Sequence, residues 1–108
     1  LQGENLDRTV FDIIKNKGIS AGAIAVSTAG HDKNIVYLIV FCENRLARAV
    51  NGFNRDFSNP KTKRVSHLKQ IGRISDADAV LDRIKAIKSN TEQNTAIKKI
   101  INEAIITK

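Results

Sequence analysis

Lys61, Lys63, Arg64, Lys69 and Arg73 fall within residues 59–74, and no Asp or Glu lies among them. Cations at that density draw polyanions, because each can make a charge-assisted hydrogen bond to a phosphate oxygen. Arg64 and Arg73 offer planar forks for bidentate phosphate contact, whereas the lysines act as point charges. The rest of the chain is close to balanced. Residues 1–58 carry seven Lys/Arg against six Asp/Glu and residues 75–108 carry six against five, so this one stretch supplies +5 of the formal +7. If all five cations neutralised phosphates, log affinity would fall against log salt with a slope of about −3.5 to −4.5.

A second group of candidate contacts is the turn Ser27-Thr28-Ala29-Gly30-His31-Asp32-Lys33-Asn34. Gly30 and Asn34 tolerate a left-handed backbone, which permits close approach and frees amides to donate to phosphate. Ser27 and Thr28 add hydroxyl donors, Lys33 adds a charge, and His31 adds one that depends on pH. Asp32 repels phosphate and reads instead as a turn-stabilising side chain that accepts backbone N–H bonds. His67 has two readings, contact with a base or phosphate and packing at a barrel edge.

Other chemistries find little support. His31, His67 and Cys42 lack close ligand spacing and a fourth partner, so no metal or other cofactor is expected. No nucleophile-elbow pattern or GxxxxGK[ST] run occurs, and the protein is expected not to be an enzyme. Asp76, Asp78 and Asp82 read as helix N-terminal charges, and Tyr37 as core or barrel wall. Cys42 reads as a small buried hydrophobe. As the only cysteine it excludes an intrachain disulfide, which fits a reducing compartment. The longest apolar run, Ile35 to Cys42, is too short to span a bilayer, and the first residues lack a signal-peptide pattern. Cytoplasm is therefore the expected location, and no membrane partner is expected.

These residues need elements to hold them. Residues 1–18 read as an N-terminal helical segment centred on Asn5 to Asn16, or in part as a vector-derived remnant at Leu1-Gln2-Gly3. Residues 19–72 read as strands and turns: Ala23–Val26, Ile35–Phe41, Arg45–Val50, Phe53–Phe57 and Val65–Ile71. Asn51-Gly52 is the strongest hairpin signal among them. Ile35–Phe41 is apolar on both alternating faces, so it is expected to be covered on both sides, one by a barrel interior and one by a helix. About five short strands in some fifty residues suggest a small closed barrel, with a basic tail leaving it at Pro60. Residues 73–108 read as a helical hairpin. Ser75-Asp76-Ala77-Asp78 and Ser89-Asn90-Thr91-Glu92 are capping boxes, and the apolar stripes are Val80, Leu81, Ile84, Ile87 and then Ile97, Ile100, Ile101, Ala104, Ile105.

The stretch from Gly22 to Leu68 resembles the KOW motif. An apolar strand runs into Ser-x-Ala-Gly-basic-Asp-Lys, a second and strongly apolar strand follows, and later come a glycine hairpin and a Pro-Lys run ending in His-Leu. Ser27, Ala29, Gly30, Asp32 and Lys33 match the turn, Gly52 the hairpin, and Pro60, Lys61, Lys63, Arg64, His67 and Leu68 the run. The likeness is nearest to small bacterial KOW proteins similar to the eukaryotic-type large-subunit ribosomal protein fourteen. Departures are His31 for the usual arginine, Asn34 for a second glycine, and Thr28 and Thr62 for lysines. The resemblance implies an SH3-like barrel of about five strands that binds RNA through the loop after the first strand.

The function expected on these grounds is non-catalytic RNA binding in the translation apparatus. Ribosomal RNA is the expected partner, with ribosomal proteins as further neighbours. The implied contacts are Ser27, Thr28, Gly30, His31 and Lys33 in the turn, and Lys61, Lys63, Arg64, His67, Lys69 and Arg73 after it. The alternative is an SH3-like module that docks on another protein without touching RNA.

Overall fold

The computed structural model describes residues 18–106; the N-terminal helix expected over 5–16 lies outside them. Five strands form one antiparallel sheet: β1 (Ala23–Ser27), β2 (Val36–Glu43), β3 (Leu46–Val50), β4 (Lys61–Arg64) and β5 (Leu68–Arg73), in the order β4-β3-β2-β1-β5. Two helices follow, α1 (Ala77–Ala86) and α2 (Asn90–Ile106). The chain is thus mainly β with a helical hairpin behind it, as its sequence implies.

Chain connectivity forces the sheet to curl. β4 and β5 are its opposite edges, and in a flat sheet they would lie about 19 Å apart. Only a single 3₁₀ turn, Val65–His67, separates Arg64 from Leu68, and four residues reach at most about 14 Å even when extended. The two edges must therefore approach each other where that turn crosses. Register shifts at Ile24/Ala25 and at Ile39/Phe41 add local twist in the same sense. Among the described residues no ladder joins β4 to β5.

Strand alternation then makes two cores from one sheet. The inner face buries Ala23, Ala25, Tyr37, Ile39, Ala47, Ala49, Val65 and Leu68. Four alanines on that face keep the interior narrow, which is what a tight curl requires. The outer face buries Ile24, Leu38 and Val50 against Leu81 and Ile84 of α1 and Ile97 and Ile101 of α2. Each of these large side chains contributes about 1.5–3 kcal/mol on burial. β2 serves both cores, which is why its sequence shows no polar alternation. The helices share a core with the sheet.

Four local expectations are corrected. The tight hairpin is not at Asn51-Gly52 but at Asn44-Arg45, whose φ values of 54° and 65° fit a type I′ turn. Residues 53–57 form no strand. The Asn51 side-chain oxygen accepts from the N–H groups of Phe53 (2.9 Å) and Arg55 (3.1 Å), and that local bonding competes with a ladder. Residues 51–60 are instead a long loop, and Lys61–Arg64, read as a tail beyond the barrel, is the edge strand β4. At the start of α1, Asp76 takes the cap position with φ 51° and no side-chain capping bond, so the box expected from Ser75 does not form. At the start of α2 the Ser89 half of the second box is in place, with Ser89 Oγ accepting from the Glu92 N–H at 3.3 Å.

Candidate nucleic-acid interface

Between β1 and β2 the chain reverses through residues 28–35. The reversal is locked by Asp32. Its Oδ1 lies 2.6 Å from Lys63 Nζ and 3.0 Å from Ser27 Oγ, and its Oδ2 accepts from the Tyr37 hydroxyl at 2.7 Å. Lys63 Nζ also donates to the Ala29 carbonyl at 2.9 Å. Burial works against the ionised Asp32, but hydrogen bonds from Lys63, Tyr37 and Ser27 outweigh it and hold the carboxyl well below its ordinary range. The same burial, together with the bond to Asp32, pushes the Tyr37 phenol above its ordinary value. Asp32 therefore stabilises the turn as expected, although its recorded partners are side chains and not backbone amides.

This lock removes two residues from the expected contact set. Ser27 is 1% exposed and Lys63 is 7% exposed, so both hold the turn from within and neither is presented to a ligand. The turn's amides are also partly occupied. Thr28 donates to His67, Lys33 to Gly30, Asn34 to Ser27 and Ile35 to Asp32, which leaves any backbone contact with phosphate to residues 29–32. Gly30 and Asn34 take the left-handed conformation their types allow, with φ 90° and 75°.

The basic residues do not form one strip. In β4, Lys61 and Lys63 lie opposite Ala49 and Ala47 on the inner-core side, and the pleat sends Thr62 and Arg64 the other way. In β5, Lys69 pairs with Val26 close to the turn, whereas Arg73 pairs with Ala23 at the far end of that ladder. Arg73 also donates to the Ala21 carbonyl at 3.0 Å. The expected strip is thus divided by strand geometry, and Arg64 and Arg73 lie apart from the turn's inner side. Thr28, His31, Lys33 and His67 are exposed, and the Thr28–His67 backbone bond puts the 3₁₀ turn beside the loop.

What the fold brings together is a groove of about 530 Å³ between the 28–35 turn and the 51–60 loop. Gly30, His31 and Ile35 line it from one side, Asn54 and Arg55 from the other, and Lys61 and Lys63 from β4, over a floor that includes Asp32 and Tyr37. Asn54 and Arg55 were not legible as site residues, because an Arg between Phe53 and Phe57 reads as strand alternation. The one available signal was Asn51, whose type favours capture of following N–H groups. Its Nδ2 also holds the Asn54 side-chain oxygen at 2.9 Å, and the Asn51 and Gly52 amides both donate to the Arg55 carbonyl. Gly52, at φ 79°, packs beneath α2, where a Cβ would meet the Asn94 carbonyl at 2.6 Å.

Cys42 packs against the inner core, and burial raises its thiol pKa. Among the described residues no group of three or more His, Cys, Asp or Glu could hold a metal ion, and no helix is long and apolar enough to cross a membrane. No protein-family model matches the chain, and no curated protein matches it.

Proposed function

We propose that this protein binds structured RNA without catalysing a reaction, as a component or associate of the translation apparatus, and that it does so at the groove between the 28–35 turn and the 51–60 loop. The supporting observation is the charge of that groove. Its lining carries Arg55 and Lys61, and its one acid, Asp32, is already neutralised by Lys63. Lys33 and His31 stand at the exposed turn beside it. The KOW-like pattern around Gly30 agrees with this reading, and the groove-lining cations suit charge-assisted contact with phosphate.

Lys61→Glu combined with Arg55→Glu is expected to abolish salt-sensitive binding to a structured ribosomal RNA fragment, and cosedimentation with ribosomes, while leaving thermal stability nearly unchanged. Reversal at Lys63 is not a clean test, because it breaks the lock on the turn. With Lys33, Arg55 and Lys61 as the principal contacts, the salt slope should be about −2 to −3. Normal RNA affinity in the double variant would overturn the proposal.

A second reading, protein docking, is favoured by a separate apolar groove. Phe53, 78% exposed, stands beside Ile101 and Ile105 of α2, with Lys98 Nζ 4.7 Å from the Phe53 ring centroid. Under that reading Phe53→Ser, and not the charge reversals, would disrupt the complex.

A further inference from the structure

We infer that the groove between the two loops takes one unpaired nucleotide of the bound RNA, with its phosphate between Arg55 and Lys61 and its base against Ile35 and His31. This rests on the RNA-binding reading and narrows it to a ligand class. Its first ground is shape. The groove is concave, walled on both sides by loops, and its volume of about 530 Å³ lies in the range of small-molecule sites. The convex backbone of a duplex would touch only the rims, whereas a nucleotide extruded from its stack can enter.

Lining chemistry is the second ground. A groove that met phosphates alone would gain nothing from Ile35, which is a large apolar side chain 43% exposed at its wall. A base laid on Ile35 buries that surface, and the exposed His31 imidazole offers a face for stacking. On the opposite wall the Asn54 oxygen is bound by Asn51, which leaves the amide NH₂ as the group it offers to an acceptor on the base edge. Arg55 and Lys61 supply the charge for one phosphate. The floor does not oppose it, because Asp32 is paired with Lys63.

Pre-organisation is the third ground. Asp32 fixes one wall and Asn51 fixes the other, so little loop ordering remains to be lost on binding.

The test compares two RNA hairpins that differ only by a single-nucleotide bulge, titrated against the full chain at one fixed salt concentration. The bulged RNA is expected to bind about tenfold more tightly, within the range measured for stacking of one base. In the variant carrying Ile35→Ala and His31→Ala, the two RNAs should bind alike, because the advantage of the bulge is lost while both keep the contacts of Arg55 and Lys61. Thermal melting of the variant confirms that it is folded. Equal, salt-sensitive binding of both hairpins by the unmodified protein would overturn the inference and leave the RNA-binding reading standing. Binding to neither would overturn both. A bulge preference that survives in the variant would also overturn it, since the named wall would not be the reader.

Discussion

The two walls of the groove are held by different physics. The 28–35 turn depends on a charge pair between residues 31 positions apart, Asp32 and Lys63. The 51–60 loop opens on a neutral amide, Asn51, that binds residues two to four positions ahead, and closes on Asp56, whose carboxylate accepts from the N–H groups of Ser58 and Asn59. The first lock forms only when β4 has been laid against β3, so the turn reports on the completed sheet. The second can form locally, and α2 then presses on Gly52 to hold it in place. The turn is therefore sensitive to acid through one buried pair, whereas the half of the loop that lines the groove is held by Asn51, which carries no proton to lose.

The largest expected effect comes from breaking the ionic lock. Lys63→Met keeps most of the side-chain volume but leaves the Asp32 carboxylate, 18% exposed, without its cation. Removing one partner of a buried pair costs about 3–5 kcal/mol, and the residual exposure of Asp32 places the expectation near ~3 kcal/mol. Chemical denaturation read by circular dichroism would measure it. A loss below ~1 kcal/mol would show that the pair is solvated and that the two walls do not differ in kind.

Acid sharpens the same contrast. The folded-state pKa of Asp32 is depressed below its ordinary value of 3.8, so the stability it confers is fully present above that value and is lost as pH falls below it. Unfolding free energy should decline below about pH 4 in the unmodified protein, with that component absent in Asp32→Asn. Parallel declines in the two proteins would assign acid sensitivity to other carboxylates.

Asn51→Ala tests the neutral wall. It removes the acceptor for two backbone N–H groups and a side-chain partner at a position only 7% exposed. The expected cost is about 2 kcal/mol, less than for Lys63→Met because loop amides can turn to water. Between pH 3 and pH 6, on the order of three units, that cost should stay constant, since no proton is involved. A cost that varied across this window would mean that the Asn51 lock is coupled to a carboxylate, Asp32 across the groove or Asp56 in the same loop.

The contrast also explains what the sequence revealed. The 28–35 turn was legible because its special backbone positions coincide with residue types that favour them, Gly30 and Asn34. The two-sided β2 was legible because its sequence lacks polar alternation. Burial of Lys63 was not legible, since a lysine in a basic run looks like its neighbours until strand pairing sets its face. The role of 51–60 was hidden for a related reason. Phe53, Arg55 and Phe57 alternate as a strand would, and only the capture of N–H groups by Asn51 diverts them. The cations were read as one row along the chain, and a pleated edge strand presents alternate residues to opposite sides.

Gly30→Ala should give the smallest change. At φ 90° a side chain is strained, but the nearest groups to an added Cβ, Asp32 Oδ1 and Lys63 Nζ, lie at 3.4 Å, ordinary contact. The cost is therefore backbone strain alone, about 1–2 kcal/mol, seen as a fall in Tm of several degrees. Gly52→Ala differs, because its Cβ would meet a backbone carbonyl of α2 at 2.6 Å, which cannot move without shifting the helix. Gly52→Ala should thus cost more than Gly30→Ala despite a similar φ. If Gly30→Ala proved the more damaging, the Asp32–Lys63 pair would be the more tightly packed of the two locks, and the 51–60 wall would be the one able to give way.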